Sequence, residues 1–178
     1  MNTTPVLYNS TIESPVGPLT IVTSEVGVRA LLWPDDDATH VPDAESADGN
    51  DVDEMPVAVR ATVDDVSRQL EEYFAGDRTE FDVSLDPVGT DFQRAAWDAL
   101  REIPYGETVS YGEQAERMGD RNKARAVGAA NGRNPISIIV PCHRVVGSTG
   151  ALTGFAGGVE TKRFLLDLER RVSGRSLL

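Results

Sequence analysis

The first third of the chain alternates short β-branched runs with turn residues. The runs cover residues 6–13, 19–23 and 28–33, and the segments 14–18 and 24–27 between them contain Gly or Pro. β-Branched runs bounded by turn residues are typical of strands, and short turns favour antiparallel neighbours. This pattern predicts a three-stranded antiparallel meander.

A different pattern follows the predicted strands. Residues 35–56 are acidic, contain Pro and Gly and are poor in apolar residues, which predicts a long mobile loop. From Val57 to about Phe74, apolar residues recur at spacings of three and four, as on one face of a helix. The residues of this face are Val59, Val63, Val66, Leu70 and Tyr73. Gly76 follows where a C-terminal cap belongs.

The segment 86–89 predicts a domain boundary, with one domain over residues 1–87 and a second over residues 88–178. Beyond it, capping boxes at residues 90–93 and 110–113 predict two helix starts. The first helix ends near residues 103–106, and its apolar face is formed by Phe92, Ala96, Trp97 and Leu100.

The second of these helices extends to about Met118 and is followed by a turn at residues 119–122. A third helix is predicted over Lys123–Asn131, with Asn122 as its N-terminal cap and Gly132 closing it. Two short helices joined by a four-residue turn that contains Gly indicate a helix-turn-helix.

The third helix is rich in small residues, and Arg125 projects from it. A surface of this kind fits a nucleic-acid groove, and it equally fits close packing against a neighbouring helix. The pattern alone leaves both interpretations open. The small residues are Ala124, Ala126, Gly128, Ala129 and Ala130.

Charge is distributed unevenly along the chain. The formal net charge is -12, which by itself argues against a nucleic-acid partner. Residues 1–90 hold 4 basic and 19 acidic residues, whereas residues 91–178 hold 13 basic and 10 acidic residues. The half with the predicted helix-turn-helix is therefore mildly basic, which is compatible with a local polyanion-binding surface.

Lysine is nearly absent, since Lys123 and Lys162 are the only two among the 17 basic residues. Abundant Asp and Glu with little Lys is typical of proteins adapted to high intracellular salt, and it favours a halophilic archaeal source. Molar salt shortens the Debye length to ~3 Å and screens repulsion between acidic groups. We therefore expect the protein to lose structure in dilute buffer.

The single cysteine, Cys142, lies in the run Ile-Ile-Val-Pro-Cys-His-Arg-Val-Val. One cysteine excludes an intrachain disulfide and fits a reducing compartment such as the cytoplasm. With only His40 and His143 besides, a Cys/His zinc site within the chain is not expected. Residues 1–30 lack the basic start and apolar core of a signal peptide, and no run of about 18 apolar residues predicts a membrane span.

Cys142 is a candidate nucleophile because His143 follows it, and a neighbouring base activates a thiol. A buried cysteine that only fills apolar space is the alternative. Residues 136–140 look like a strand, and in extended chain Cys142 and His143 point to opposite sides. A direct hydrogen bond is then unfavourable, and a bridging water would carry the proton.

The imidazole of His143 would need a carboxylate to fix its tautomer and stabilise its charge. Glu169 is the best-placed candidate, near the end of a helix predicted over residues 159–171, although a solvated surface position is the alternative. That helix is expected to face inward with Phe164, Leu165 and Leu168.

A glycine-rich loop at residues 153–158 precedes this helix. It lacks the spacing of a phosphate-binding loop. Its backbone amides and Phe155 could close over a planar ligand, or the loop could be a simple hairpin.

These residues, in this order and spacing, resemble the O6-alkylguanine-DNA alkyltransferase family. The resemblance extends from Gly89 to Glu169, about half of the chain. It implies an α+β fold, with an N-terminal ribonuclease-H-like domain of small sheet and helix and a winged-helix-like alkyltransferase domain. It rests on Tyr111, the run 125–128, Asn134-Pro135, the run 141–145, and Gly157-Gly158 through Glu169.

The resemblance implies direct-reversal DNA repair by a monomer. Double-stranded DNA carrying O6-alkylguanine is the implied partner, with O4-alkylthymine as a second candidate substrate. The damaged base is flipped out, and its alkyl group is transferred irreversibly to Cys142, once per protein molecule. The reaction needs neither a cofactor nor a metal.

The resemblance also implies roles for the residues around Cys142. His143 acts through water as the base, Glu169 orients His143, and Asn134 shapes the active-site turn. Tyr111 assists rotation of the nucleotide and can donate a proton to the departing guanine.

Two further sets of residues follow from the resemblance. Arg125 fills the gap left in the duplex, on a helix whose DNA-facing small residues are Ala124, Ala126, Gly128, Ala129 and Gly132. The base pocket is formed by Tyr111, Phe155 and the backbone of Cys142, Val145 and Ala156. The family often has Tyr and Ser where this chain has Phe155 and Ala156, so a hydroxyl contact is lost here while the amide of Ala156 remains.

Three other functions fit part of the pattern. A non-enzymatic alkylated-DNA binding protein of the same fold would lack the acceptor cysteine, which is present here. A winged-helix regulator leaves the Cys-His run and the glycine-rich loop unexplained. A cysteine hydrolase would need an oxyanion arrangement and a sequence-distant catalytic histidine, and neither is evident in the sequence.

Overall fold

The structure, a computed structural model, describes residues 5–36, 41, 48–49 and 54–174. Contacts along the backbone divide the chain into two units, Met1–Val88 and Gly89–Leu178. No helix in the described ranges is both long and apolar enough to cross a membrane.

The predicted meander is confirmed in the first unit. Strands β1 (Tyr8–Ile12), β2 (Leu19–Thr23) and β3 (Val28–Leu32) pair antiparallel in sequence order. A fourth strand, β4 (Asp48–Gly49), pairs parallel with β1 and gives the sheet order β3-β2-β1-β4. The pattern did not predict β4, and most of the predicted loop 35–56, with His40, lies outside the described residues.

Helix α1 (Val57–Ala75) packs on this sheet with the predicted apolar face. All five residues of that face are buried, and Gln69 is buried among them. The Gln69 amide donates to the Asp82 carbonyl at 3.0 Å and accepts from the Asp82 N–H at 2.8 Å, so the polar group is satisfied. Gly76 is the C-terminal cap at the predicted position, and its φ of 82 is the left-handed conformation that glycine adopts easily.

The second unit begins with three helices, of which the second and third form the predicted helix-turn-helix. They are α2 (Asp91–Arg101), α3 (Tyr111–Arg117) and α4 (Ala124–Gly132). Both predicted capping boxes are formed, at Thr90 with Gln93 and at Ser110 with Glu113.

The predicted N-terminal cap of the third helix is wrong. Asn122 lies inside a 3-10 helix (Arg121–Lys123), and the Asp120 carboxylate caps this helix by accepting from the Asn122 N–H at 2.9 Å. An ionised carboxylate is a stronger hydrogen-bond acceptor than the amide oxygen of Asn122. Asp120 also directly precedes the first N–H groups of the 3-10 helix. Helix α4 therefore starts at Ala124 and includes Gly132 instead of closing before it.

Buried hydrogen bonds hold α4 against its two neighbours. The indole N–H of Trp97 on α2 donates to the Ala130 carbonyl at 2.9 Å. Gln114 on α3 and Asn131 on α4 exchange side-chain amide hydrogen bonds of 3.1 and 2.7 Å, and Gln114 also donates to the Ala96 carbonyl. The orientation of α4 is therefore fixed by directional contacts as well as by apolar packing.

The remaining elements of the second unit surround the segment that contains Cys142. Strands β5 (Val109–Ser110) and β6 (Val145–Val146) pair parallel, and α5 (Val159–Val172) packs against the segment that precedes β6. The inward position predicted for Phe164 is wrong, because its side chain is 38% exposed. The buried face of α5 instead consists of Lys162, Leu165, Leu166, Leu168 and Glu169.

Candidate active site

Asn134 shapes the turn that leads to the cysteine. Its side chain, which is buried, donates to the Val140 carbonyl at 2.8 Å and accepts from the Ile136 N–H at 3.0 Å. The strand predicted over residues 136–140 is therefore wrong, since these residues form a tight turn in which the Val140 N–H donates to the Ile136 carbonyl. The amide of Asn134 supplies the hydrogen bonds that a partner strand would otherwise provide.

One residue of this turn has an unusual backbone conformation. Ile138 lies at φ 76 and is buried. A β-branched residue rarely adopts this left-handed conformation, and such strain persists only where the surroundings impose it. The turn is thus held by its neighbours and not by the local preference of its sequence.

Cys142 follows this turn in a 3-10 helix (Cys142–Arg144) and is 9% exposed. A 3-10 helix has three residues per turn, so consecutive side chains diverge by about 120°. The extended geometry expected for Cys142 and His143 is therefore wrong. The two side chains nevertheless form no direct hydrogen bond, as expected. The Nε2 atom of His143 bonds to Glu169, and its Nδ1 atom has no hydrogen-bond partner among the described residues.

His143, Glu169 and Arg144 form a buried polar cluster. The Nε2 atom of His143 lies 3.0 Å from the Glu169 carboxylate, and both residues are 0% exposed. The guanidinium of Arg144 donates to the same carboxylate at 2.9 Å and to the Ile103 carbonyl at 2.8 Å. Glu169 is thus not a solvated surface residue. Its oxygens are shared between an imidazole and a guanidinium.

The electrostatics of this cluster favour a neutral imidazole. Burial lowers the pKa of His143 below its ordinary value, although Glu169 acts in the opposite direction. For Glu169, burial raises the pKa, but the contacts with His143 and Arg144 outweigh it and the net pKa is lowered. An anionic Glu169 accepts from an N–H at Nε2, which leaves the lone pair of His143 on Nδ1.

The resting thiol is held in its protonated form. Burial raises the pKa of Cys142, while hydrogen bonds from Asn134 and Ser137 and the positive charge of Lys162 act in the opposite direction. A thiol of this kind needs a base to accept its proton when it reacts. The neighbouring residue in the sequence, His143, has its Nδ1 atom without a hydrogen-bond partner among the described residues.

Lys162 is fully buried on α5, although the sequence pattern assigned it no role. Its ammonium donates to the Val145 carbonyl at 2.6 Å and to the Thr153 carbonyl at 3.0 Å. Burial lowers its pKa, and Cys142 acts in the opposite direction. One feature of the sequence could have indicated its burial. Lys162 precedes Glu169 by seven residues and therefore lies on the same face of the helix.

Tyr111 and the glycine-rich loop meet at Thr153. The Tyr111 hydroxyl lies 3.4 Å from the Thr153 carbonyl, which it can donate to. A Cβ atom added to Gly128 would lie 3.6 Å from the Tyr111 ring, which is ordinary van der Waals contact, so the ring lies close to this part of α4. Phe155 is half-buried and Ala156 exposed in the same loop.

The small residues of α4 are divided between its buried and its exposed side. Its buried residues are Val127, Ala130 and Asn131, which pack within the unit. The exposed side carries Arg125, Ala126, Ala129 and Gly132, with Ala124 and Gly128 half-buried. That side can approach a groove closely and presents a cation to it. Among the residues that the structure describes, no group of three or more acidic, His or Cys side chains could hold a metal ion.

A helix-turn-helix with this exposed surface, next to a buried thiol and a histidine–carboxylate pair, is typical of a DNA-binding protein that uses a cysteine for covalent chemistry. Comparison with known proteins agrees. Residues 91–171 match the family model described as the 6-O-methylguanine DNA methyltransferase, DNA binding domain. Residues 7–87 match the ribonuclease-like domain of the same methyltransferase.

Relatives match over nearly the whole chain. The methylated-DNA--protein-cysteine methyltransferase of Methanosarcina acetivorans is 46% identical, over 92% of this chain and 98% of the relative. The protein of the same name from Mycobacterium tuberculosis is 47% identical, over 92% and 93%. The chain belongs to the 6-O-methylguanine DNA methyltransferase family.

Solved structures agree with this assignment and confirm the predicted α+β fold. The crystal structure of the Mycobacterium tuberculosis O6-methylguanine methyltransferase has a TM-score of 0.80 and 46% identity, covering 93% of this chain and 94% of that one. Mycobacterium tuberculosis OGT in complex with DNA has a TM-score of 0.79 and 46% identity, covering 93% and 94%.

Proposed function

We propose that this protein repairs alkylated DNA by direct reversal, as a methylated-DNA--[protein]-cysteine S-methyltransferase that reacts once. O6-alkylguanine in double-stranded DNA is the proposed substrate, and O4-alkylthymine is a second candidate. The observation that carries the proposal is Cys142, which is buried beside the His143–Glu169 pair in a chain of this family. In the proposed division into residues 1–87 and 88–178, every reacting group belongs to the second domain.

The geometry supports a relay that generates the thiolate. Glu169 holds the N–H at Nε2 of His143, so Nδ1 can accept the thiol proton through a water molecule. The Sγ atom of Cys142 then attacks the alkyl carbon, a C–S bond forms and the bond to O6 of guanine breaks. The departing guanine takes a proton from the Tyr111 hydroxyl, the proton held by His143 passes to the tyrosinate through water, and the thioether remains on the protein.

The target atom lies inside the base stack, so the proposal includes base flipping. Extrusion costs a few kcal/mol, and less for a poorly paired base. The exposed side of α4 is the proposed minor-groove surface, with Arg125 taking the place of the extruded nucleotide. Val145, Phe155 and Ala156 are the proposed walls of the base pocket.

Intact-protein mass spectrometry after mixing with a methylated duplex tests the proposal. We expect a stoichiometric gain of one methyl group, located on Cys142 by peptide mapping. Binding to the methylated duplex without a mass gain would instead favour the non-enzymatic binding protein. Absence of both would favour a regulator or a hydrolase. Repeating the measurement with larger alkyl groups and with O4-methylthymine defines the substrate range.

Replacement of Arg125 by alanine should slow repair of duplex DNA and leave the reaction with free O6-alkylguanine nearly unchanged. The free base needs no flipping, so the loss of a residue that fills the duplex has no effect on it. Single-turnover rates on both substrates check this, with Arg101→Ala, an exposed arginine on α2, as the control. Equal losses on both substrates would mean that Arg125 supports the pocket and not the flip.

The proposal also includes a monomer that acts in the cytoplasm, the compartment that keeps a lone thiol reduced. Adaptation to high salt, and with it a halophilic archaeal source, is a further proposal that rests on composition alone: a net charge of -12 with 29 acidic residues. The relatives described above are from Methanosarcina and Mycobacterium.

The melting temperature should therefore rise with salt concentration. In dilute buffer the acidic groups repel one another, whereas molar KCl screens them. Thermal unfolding can be followed by circular dichroism at KCl concentrations from 0.05 to 3 M. Over this range the Debye length falls from about 14 Å to about 2 Å. An unchanged Tm across the series would remove the basis for the salt adaptation.

A further inference from the structure

A fully buried ammonium needs an explanation, because a charge removed from water is costly unless its hydrogen bonds are replaced. Lys162 is 0% exposed. Its described partners are two backbone carbonyls and not a carboxylate, at 2.6 Å from Val145 and 3.0 Å from Thr153. A methionine or leucine would fill the same space without this cost.

The two carbonyls belong to two different segments of the proposed pocket. Val145 directly follows the 3-10 helix that carries Cys142, and Thr153 opens the glycine-rich loop. The Thr153 carbonyl is also the acceptor within reach of the Tyr111 hydroxyl. One ammonium therefore connects the nucleophile's segment, the loop and, through the shared carbonyl, Tyr111.

The loop itself has few internal constraints. Gly154 and Gly158 lie at φ 52 and 89, and the Gly158 N–H donates to the Phe155 carbonyl at 2.9 Å. Glycine gives up more conformational freedom than any other residue when it is ordered. A loop of this composition needs an external contact to keep one position, and Lys162 provides it at the loop's first residue.

We propose that Lys162 is a positioning residue, whose buried ammonium fixes the glycine-rich loop beside Cys142 and so sets the width of the base pocket. This inference rests on the proposed alkyl transfer. It assigns the lysine a task distinct from that of the His143–Glu169 pair, because the ammonium acts on the pocket wall and not on the proton. Its positive charge near Cys142 is a secondary consequence of the same position.

The first test compares Lys162→Met with Arg163→Met, an exposed neighbour on α5. In Lys162→Met, the half-saturating concentration of free O6-benzylguanine should rise about tenfold or more, as for a lost hydrogen bond to a charged group. The saturating rate should fall far less. Amide hydrogen exchange at residues 154–158 should become faster, and this readout needs neither DNA nor activity. Arg163→Met should match the wild type in all three.

Chemical rescue separates the charge from the space it fills. In Lys162→Ala, propylammonium should restore exchange protection of the loop and the half-saturating concentration, whereas propanol, which has the same chain length and no charge, should not. Equal rescue by both, or by neither, would overturn the proposal. A shifted pH profile for iodoacetamide alkylation of Cys142, with loop exchange and half-saturation unchanged, would also overturn it and leave a purely electrostatic role.

The wild-type mass measurement keeps the two hypotheses apart. If wild-type protein gains no methyl group from alkylated DNA, the proposed function fails irrespective of Lys162. If the wild type does gain it and Lys162→Met retains wild-type half-saturation and loop exchange, only the inference about Lys162 fails.

Discussion

Replacement of Cys142 by serine is expected to abolish alkyl transfer and to leave binding of alkylated DNA largely intact. The hydroxyl is nearly isosteric with the thiol, so the buried turn around it keeps its packing. It is far less readily ionised, and burial, which already raises the pKa of the Cys142 thiol, opposes its ionisation further. We expect the single-turnover rate to fall by at least about 10⁴-fold, the scale of nucleophile removals in enzymes.

Two measurements on the same preparation make this result interpretable. Binding to a methylated duplex by fluorescence anisotropy shows that the protein still recognises its substrate, and Tm shows that it is folded. Cys142→Ala is the control, because it removes the hydroxyl as well as the thiol. Methyl transfer by the serine variant at a rate near that of the wild type would refute the assignment of the nucleophile.

Local sequence patterns were sufficient for most of the regular structure. The period of three and four from Val59 to Tyr73 placed the buried face of α1, because tertiary packing of an amphipathic helix follows its own periodicity. The capping boxes at Thr90 and Ser110 placed two helix starts, since their hydrogen bonds involve residues only three apart in sequence. In both cases the sequence pattern that decides the structure lies within one element.

Predictions failed where a distant or competing contact decides the conformation. The β-branched run 136–140 has strong strand propensity, yet the Asn134 amide satisfies its backbone and imposes a turn, with Ile138 in a left-handed conformation. Propensity is a weak prior against such contacts. Phe164 was placed inward by its apolar character, whereas the space beneath α5 is occupied by Lys162 and Glu169.

The site was predictable only where its residues are adjacent or carry a family pattern. Cys142 and His143 stand together in the sequence, and Glu169 was chosen by its position on a predicted helix. The buried contacts of the Arg144 guanidinium and the Lys162 ammonium were not predicted, since their partners include the carbonyls of Ile103 and Val145, which lie 41 and 17 residues away in the sequence. Sequence polarity alone assigns such side chains to the surface, because Lys and Arg are rarely fully buried.

The second large effect is expected at Glu169. In Glu169→Gln, the negative charge that stabilises the protonated imidazole of His143 is lost, so the transfer rate should fall by about 10²–10⁴-fold, the usual contribution of acid–base catalysis. His143→Ala should cause a similar loss. The double variant should be scarcely slower than either single variant, because residues that act as one relay share a single contribution. Losses that multiply would argue against the relay.

A control is needed because Glu169 also pairs with Arg144 in the interior. Removing one partner of a buried ion pair costs about 3–5 kcal/mol, so unfolding could imitate a catalytic loss. The variant Arg144→Met/Glu169→Gln removes both charges, and Asp167→Asn changes an exposed carboxylate on the same helix. A Tm measured for each variant shows which of them are folded at the assay temperature.

The pH profile gives a readout that a merely structural role of Glu169 would not change. The relay needs neutral His143, so the rate falls as the pH drops through the pKa of His143, which burial holds below the ordinary value of about 6.5. Glu169 raises that pKa, and Arg144 lowers it. Glu169→Gln removes the group that raises the pKa of His143 and leaves Arg144, which lowers it. The acidic limb of the rate profile should therefore move to lower pH, and the plateau rate should fall. An acidic limb that stays in place, or moves to higher pH, would show that His143 and Glu169 do not act as a pair in the reaction.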